Sequence, residues 1–360
     1  MRLDDDNVNL RKSCFVLDSY APLSPFGFRR DIYERALYGE GAEENPLKTQ
    51  LVDVSQQFQP DLVVITSQNA FALAAFRNVS IIHVEQAPLP RLSHPQRVSL
   101  DPSGHQVRSL LEQKHKILAA DLAPSFADAI GAIITTLKRK MTSADTYNAG
   151  RREISKLRAD AKVALFVTQP PDWVTYEGAF EAIDMPNLLC TWEAALPHGW
   201  IGVPTYHPGY RLNAEEEAAL ARCLPRLKFL PNTVPQGISE ALLTEADGMV
   251  SISSTTTISA LLYGKPAIAT GHCPFNAWCP RNVADLSAEP VLTSSDAAKL
   301  FAFLSHKYVH LCEDLENDPD RFLGLARSIT GADDFINSYF DFAKWEEGKA
   351  RRLFSLETPN

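Results

Sequence analysis

The stretch Asp247–Asn276, DGMVSISSTTTISALLYGKPAIATGHCPFN, constrains the fold of this chain more than any other. Met249 to Ile252 is a short apolar run of the kind that buries as a strand. It breaks into five hydroxyl residues, Ser253, Ser254, Thr255, Thr256 and Thr257. A helical apolar pattern follows from Ile258 to Tyr263, Gly264-Lys265-Pro266 ends it, and a second strand starts at Ala267. The first turn of a helix leaves backbone N–H groups unpaired and carries partial positive charge, so it attracts a phosphate. Ser and Thr hydroxyls add donors there and also cap helices. A plain helix cap between two parallel strands accounts for the same residues, so the segment taken alone favours phosphate binding only mildly.

Around this unit, strand-like and helix-like patterns alternate. Cys14 to Leu17 reads as a first strand, and Phe28 to Leu37 and Leu47 to Phe58 read as helices. Asp61 to Thr66 and Ser80 to Val84 are apolar runs of buried-strand length. Helical patterns fill His105 to about Arg158. The alternation restarts with the strand Lys162 to Val167. Further strands are expected at Gly199 to Thr205, Leu227 to Leu230, Met249 to Ile252 and Ala267 to Thr270, with helices at Ala214 to Leu224 and Gln236 to Ala246. From Ser294 onward the pattern is almost all helical. Two such runs separated by a helical stretch predict an α/β protein with two Rossmann-like, doubly wound parallel sheets. The expected divisions are residues 1–160, residues 161–330, and a C-terminal helix in 331–360 crossing back to the first domain. Ligands bind at the carboxyl ends of parallel strands, so two such sheets facing each other make a cleft lined by post-strand loops. Five loops qualify: Ser67-Gln68-Asn69, Glu85 to Arg91, Gln169 to Asp172, His207 to Arg211 and Ser253 to Thr257.

Composition narrows the function classes. A chain of 360 residues with 45% hydrophobic content supports full cores and is long for one domain. Its 35 basic and 44 acidic residues give a formal charge of −9, which argues against a general grip on nucleic acid or an anionic membrane surface. Any anion site must be local. There is no apolar run of about 18 residues, as a membrane span would need, and the polar start MRLDDDNVNLRKS lacks a signal-peptide core. Six scattered cysteines suggest neither a disulfide framework nor a zinc site. A reduced, cytoplasmic setting is expected, with at most peripheral association at the inner face of the cytoplasmic membrane.

Each candidate chemical residue has a bland reading beside the sharp one. Glu85 closes a strand and enters the loop Gln86-Ala87-Pro88-Leu89-Pro90, where a carboxylate is either solvated or aimed into a cleft. Asp172 follows Gln169-Pro170-Pro171, a loop stiffened by two prolines. It is a helix cap or a catalytic carboxylate, the second of the pair that glycosyl chemistry often needs. His207, in Tyr206-His207-Pro208-Gly209-Tyr210-Arg211, is a turn residue or a donor to a leaving phosphate. Arg211 offers the two-pronged geometry that suits a phosphate or carboxylate. Lys265 suits the end of a helix and its dipole.

Four segments, in order, resemble the bacterial capsule polysaccharide biosynthesis proteins, the Kdo-transferase-like glycosyltransferases with a GT-B-type fold. HVEQAPLPR followed by VSLDPSGHQVRSLL is similar to that family's acidic loop and its following segment. LFVTQPPDW resembles its strand-then-Gln segment with a nearby Asp, YHP its His-Pro motif, and DGMVSISSTTTISALLYGKPAIATG its Ser-Ser donor-phosphate segment. Ala87 stands where the family usually has Gly, and Thr205-Tyr206 precede His-Pro where a basic residue is common. The resemblance implies a GT-B-like glycosyltransferase of surface polysaccharide biosynthesis, transferring Kdo from CMP-Kdo to a glycan or glycolipid acceptor with retention. It implies that Ser253, Ser254 and His207 hold the CMP phosphate; Thr255 and Lys265 are further candidates for nucleotide or phosphate binding. By the same carry-over Asp172 is the nucleophile and Glu85 the base. Gln169, Arg91 and Arg211 are further candidates for substrate contact. No cofactor and no metal are expected, the CMP-activated sugar being a substrate. The partners implied are a nucleotide-sugar donor and a glycan acceptor, with no nucleic acid. The alternatives are a UDP-sugar-dependent GT-B transferase or epimerase, whose phosphate loop is usually glycine-rich, and a catalytically inactive GT-B-like scaffold module.

Overall fold

A computed structural model describes residues 46–66, 69–90, 96–104, 108–143, 145–170, 184–288, 292–318 and 336–356, together with positions 320, 322 and 324. The expected strand at Cys14 to Leu17, the helix at Phe28 to Leu37, Ser67, Gln68, Arg91 and Asp172 lie outside the described residues. The chain is a mixed α/β protein whose strands form two four-stranded sheets.

The first sheet takes β1 (Leu62–Ile65), β2 (Ser80–Gln86), β3 (Arg97–Asp101) and β8 (Val309–Leu311), in that spatial order. β1 and β2 are parallel, with Leu62 opposite Ser80 and Ile65 opposite His83. Before β1 lies helix α1 (Pro46–Phe58), and between the two strands lies α2 (Ala70–Ala75), capped by Asn69 accepting from the Ala72 N–H. The rest of the sheet departs from the parallel expectation. β3 pairs antiparallel with β2, Glu85 facing Ser99, and β8 pairs antiparallel with β3. The physical reason is the connection: after Gln86 the chain returns at Arg97, too soon for a crossover helix, so the next strand must reverse. β8 is only three residues long inside a helical stretch, and the sequence pattern hides it.

A helical stretch follows β3. It comprises α3 (Lys114–Ala119), α4 (Pro124–Ser143) and α5 (Asn148–Leu157). α4 buries Ile130, Ile133, Ile134, Leu137 and Met141, the spacing of one helical face.

The second sheet is fully parallel, in the order β5-β4-β6-β7. Its strands are β4 (Lys162–Val167), β5 (Trp200–Thr205), β6 (Gly248–Ser251) and β7 (Ala267–Ala269). Helices α6 (Met185–Ala195), α7 (Ala214–Cys223), α8 (Ser239–Leu243) and α9 (Thr256–Leu262) connect them. β4, from Val163 onward, and β6 are buried along their length, which is why both read as continuous apolar runs rather than alternating ones. The expected strand at Leu227 to Leu230 is reduced to a single bridge between Gly202 and Leu227. Gly264 ends α9 at φ +68°, a conformation that glycine adopts without strain. Beyond β7, α10 (Ser294–Phe303) continues into a π-helical turn, Leu304–Tyr308, that delivers the chain to β8. α11 (Cys312–Asn317) and α12 (Glu347–Arg352) follow.

One continuous apolar core runs between the sheets. It joins Ala87 and Leu89 after β2, the inner face of α4, Val163 and Leu165 of β4, α9, α10 and Leu353 to Leu356 after α12. Buried polar contacts lock the same layer. Trp278 donates its indole N–H to the Leu111 carbonyl at 2.7 Å, and buried Arg97 donates to the Leu353 and Pro90 carbonyls. No described helix is long and apolar enough to cross a membrane.

Candidate active site

The register of the second sheet builds one wall of a site. β4 ends at Val167, which pairs with Thr205 of β5 and Ser251 of β6, so three strands finish at one level. The chain after β4 moves outward to β5, and the chain after β6 moves the other way to β7. β4 and β6 therefore flank a topological switch point, where the carboxyl ends of a parallel sheet open a crevice. Thr168-Gln169, Tyr206-His207 and Ser253 to Thr256 emerge there. They line a cleft of about 340 Å³ together with Glu85, Gln86, Pro88 and Ser99 of the first sheet and its following loop.

Hydrogen bonds fix the second-sheet wall. The Gln169 carbonyl oxygen accepts from the Ser253 N–H at 3.0 Å, and its amide nitrogen donates to Ser253 Oγ at 3.3 Å. Both residues are buried, at 8% exposure each, so this pair of hydrogen bonds between the β4 and β6 loops is shielded from water. Thr168 Oγ1 donates to the Thr205 carbonyl, and Ser239 Oγ donates to Thr205 Oγ1. The Thr256 N–H donates to Ser254 Oγ at 3.3 Å, and Ser254 Oγ also lies 3.2 Å from Thr256 Oγ1. The expected anion cradle is thereby narrowed. The Ser253 N–H belongs to Gln169, and α9, only seven residues long, opens with Thr255 in helical geometry and no side-chain cap.

His207 sits in the turn after β5. Its Nδ1 accepts from the Gly209 N–H at 3.0 Å, so a neutral ring carries its proton on Nε2, as a donor. Gly237, at φ +72°, packs so closely that a Cβ would lie 2.8 Å from Pro208, and its N–H donates to the Tyr206 carbonyl. That close approach keeps the His-Pro turn against the cleft.

The first-sheet wall is built differently. Glu85 is half-buried near the end of β2, one oxygen accepting from the Gln86 N–H at 2.8 Å while Ser99 Oγ donates to its carbonyl. Behind them Asp101 is buried and accepts four bonds: the N–H groups of Ser103 and Gly104 on one oxygen, the Ser109 hydroxyl and Leu110 N–H on the other. Burial pushes its carboxyl up to about 6, against the pull of those donors. Ser109 Oγ is also 3.1 Å from the hydroxyl of Tyr308, which lines the cleft. His83 is buried beside this network, with Nδ1 3.3 Å from the Asp101 carbonyl, and burial lowers its pKa.

Of the residues expected at a site, the structure brings together Glu85, Gln169, His207, Ser253, Ser254 and Thr255. It does not bring Lys265 or Arg211. Lys265 lies beyond the far end of α9, its ammonium donating to the Ala246 carbonyl at 2.8 Å, and burial lowers its pKa. Arg211 pairs with Glu217 at 3.0 Å and covers the Tyr206 ring. Gln169, expected to touch substrate, is engaged with Ser253. The chain also holds residues that the sequence did not flag. Glu240 lines the cleft and accepts from Ser259 Oγ at 2.6 Å; an acid in a first helical turn reads as ordinary dipole compensation. Tyr308 reaches the cleft from a segment with no motif, and Phe275 from the end of the Asp247–Asn276 stretch, past its hydroxyl-rich turn. Among the described residues, no three His, Cys, Asp or Glu side chains cluster as a metal site would need.

No protein-family model and no curated protein matches this sequence. Among solved structures, the chain is similar to the beta Kdo 2,7 transferase KpsC of Thermosulfurimonas dismutans, with TM-score 0.49 and 16% identity over 72% of this chain and 81% of that one. It is similar to the beta Kdo 2,4 transferase KpsC of the same organism, with TM-score 0.45 and 15% identity over 75% and 86% of the two chains. A co-structure of MnaA with UDP from S. aureus follows at TM-score 0.28 and 15% identity, over 77% and 80%. These likenesses are distant and assign no residue here.

Proposed function

We propose that this protein is a retaining glycosyltransferase that uses a CMP-activated Kdo donor and passes the sugar to a glycan or glycolipid hydroxyl. The single observation that carries the reading is the convergence, in one cleft, of the Gln169–Ser253 clamp, the Ser254 hydroxyl and His207 on one wall with Glu85 on the other. The four sequence segments that resemble the Kdo-transferase-like family supply these residues in order. The reading carries with it two lobes divided near residue 160 and a protein of the cytoplasm.

In this reading the donor phosphate lies against Ser253, Ser254 and His207, whose Nε2–H suits an anionic oxygen. Glu240 accepts from the nucleotide's ribose hydroxyls. Asp172, two residues beyond the described Pro170, attacks the anomeric carbon. The bond to phosphate breaks and CMP leaves with the electron pair, giving a sugar joined to the Asp172 carboxylate. Glu85 then takes the proton of the acceptor hydroxyl, whose oxygen displaces Asp172 from the opposite face. Two inversions give net retention.

Titration of the protein with CMP and with UDP tests the donor. Tighter binding of CMP is expected, and a clear preference for UDP would move the reading to a UDP-sugar enzyme. Asp172→Asn tests the chemistry. It is expected to abolish transfer and release of CMP from CMP-Kdo while leaving CMP binding nearly intact. Asn caps helices as well as Asp does, so wild-type turnover by this variant would make Asp172 a cap.

A further inference from the structure

On the first-sheet wall a chain of hydrogen bonds runs from a buried carboxylate to a residue of the cleft. Asp101 Oδ1 accepts from the Ser103 and Gly104 N–H groups, and Oδ2 from the Leu110 N–H and, at 2.7 Å, the Ser109 hydroxyl. Ser109 Oγ also accepts from the Leu111 N–H at 3.1 Å and lies 3.1 Å from the Tyr308 hydroxyl. The direction of the chain follows from its protons. An ionised carboxylate can only accept, and Ser109 has one proton, so that proton goes to Asp101. In the Ser109–Tyr308 contact the phenol is then the donor. Its hydrogen is drawn inward, and Tyr308, which lines the cleft on the wall of Glu85 and Ser99, offers lone pairs there. Burial first, and the Asp101 charge after it, hold the Tyr308 phenol well above its usual pKa, so it keeps its proton. A protonated Asp101 reverses the chain. Three of its four partners are N–H groups, which cannot accept, so Ser109 Oγ takes the carboxyl proton. Ser109 then donates to Tyr308, and the phenol turns its own proton outward.

We infer that Tyr308 is a specificity-determining residue of the first-sheet wall: Asp101, a positioning residue acting through Ser109, sets its hydroxyl as an acceptor, which suits the hydroxyl of a neutral sugar and disfavours a carboxylate. A sugar hydroxyl brings its own proton to the Tyr308 oxygen. A carboxylate brings none, and two acceptors then oppose each other in a site shielded from water. The inference rests on the proposed reading in one respect, that a sugar occupies this wall. Burial pushes Asp101 up to about 6, so the chain reverses within an accessible pH range. The other titratable groups around Asp101 are His83, Glu112, Tyr308 and Tyr339. Burial lowers the pKa of His83, whose Nδ1 faces the Asp101 carbonyl. Burial raises Glu112 and Tyr339, and the Asp101 charge adds to both shifts.

The test is competition between methyl glucoside and methyl glucuronide for the full chain, read by ligand-observed NMR at pH 5 and pH 8, where the glucuronide is ionised throughout. Wild type should prefer the glucoside by about tenfold more at pH 8 than at pH 5, the scale of one bond to a charged group. Asp101→Asn fixes the reversed chain: its carboxamide oxygen takes the Ser103 and Gly104 N–H groups, and its NH2 donates to Ser109. It should show the weak pH 5 preference at both pH values. Tyr308→Phe should also lose the pH dependence, which separates Tyr308 from every other group that titrates in the cleft. A constant preference in wild type, an undiminished pH dependence in Tyr308→Phe, or no binding of either glycoside overturns the inference. A second measurement needs no ligand and does not depend on Asp101→Asn folding. With tyrosine labelled by carbon-13 at Cζ, the resonance that Tyr308→Phe removes should shift with a midpoint of about 6 in wild type. In Ser109→Ala that shift should be lost or at least halved. A Tyr308 resonance indifferent to pH, or one that moves equally without Ser109, overturns the inference. Neither measurement contains nucleotide, so a failed CMP titration strikes the donor and leaves both standing, and their failure leaves the donor untouched.

Discussion

The two walls of the cleft are assembled from different distances along the chain. The second-sheet wall draws on a single sheet and the loops that follow its strands. Its clamp joins Gln169 to Ser253, its hydroxyl chain joins Thr168, Thr205 and Ser239, and its His-Pro turn leans on Gly237. All of it lies within one parallel sheet and its loops. The first-sheet wall adds remote partners to its own short-range bonds. Arg97 reaches the Leu353 carbonyl, Ser109 meets Tyr308, Leu111 receives the Trp278 indole, and β8 supplies the last strand. A parallel sheet with a switch point offers a preformed crevice for a common ligand part such as a nucleotide phosphate. In the proposed reading the second wall holds the phosphate and the first activates the acceptor.

The largest effect should come from separating those duties. Glu85→Gln is expected to slow acceptor-dependent transfer by about 10²- to 10⁴-fold, the scale of a lost general base. CMP affinity, measured by titration, should stay within about twofold. A parallel loss of CMP binding would break the division between walls.

The next effect belongs to the first wall alone. Asp101 titrates near 6 in the folded protein against 3.8 for an ordinary Asp, because burial disfavours its charge. A raised carboxyl contributes stability that is fully present below the unfolded value and lost as pH rises through about 6. The whole span corresponds to about 3 kcal/mol at ~1.36 kcal/mol per pH unit. Unfolding free energies of wild type and Asp101→Asn, compared from pH 4 to 7, should diverge in favour of wild type toward the acid end. A pH-independent difference would mean that Asp101 titrates as an ordinary carboxylate.

On the second wall, Ser253→Ala with Ser254→Ala should weaken CMP by roughly 1–3 kcal/mol, the range for one or two bonds to a charged group. Unchanged CMP affinity in the double variant would remove the phosphate from this loop. The smallest effect is expected at Lys265. Its ammonium serves the Ala246 carbonyl at the far end of α9, so Lys265→Met should leave CMP affinity within measurement error. A weakening of about tenfold would return Lys265 to the site.

The same contrast explains what the sequence disclosed. β4, β6 and β7 are buried strands of a parallel sheet, and their continuous apolar runs mark them within a residue or two. Their loops follow them directly, so Gln169, His207 and Ser253-Ser254 could be placed at one edge from pattern alone. β3 and β8 were not legible. Arg97–Asp101 carries a charge at each end, and Val309–Leu311 is too short for any period to register. With them went the antiparallel half of the first sheet and Tyr308, which the π-helical turn delivers from a stretch that reads as helix. Arg211 and Lys265 looked like anion ligands because type and neighbourhood fit. Their actual partners, Glu217 and the Ala246 carbonyl, are set by tertiary packing. Glu240 sat unnoticed for the opposite reason, its position having an ordinary helical explanation.

The most direct test of the central claim is a crystal structure of the full chain with CMP bound. The account predicts the phosphate within hydrogen-bond distance, about 3.2 Å or less, of Ser253 Oγ and His207 Nε2. Gln169 should still be clamped to Ser253, and Glu85 should face the phosphate's sugar-bearing oxygen across the cleft. CMP seated on the first-sheet wall, or outside the cleft, would contradict it.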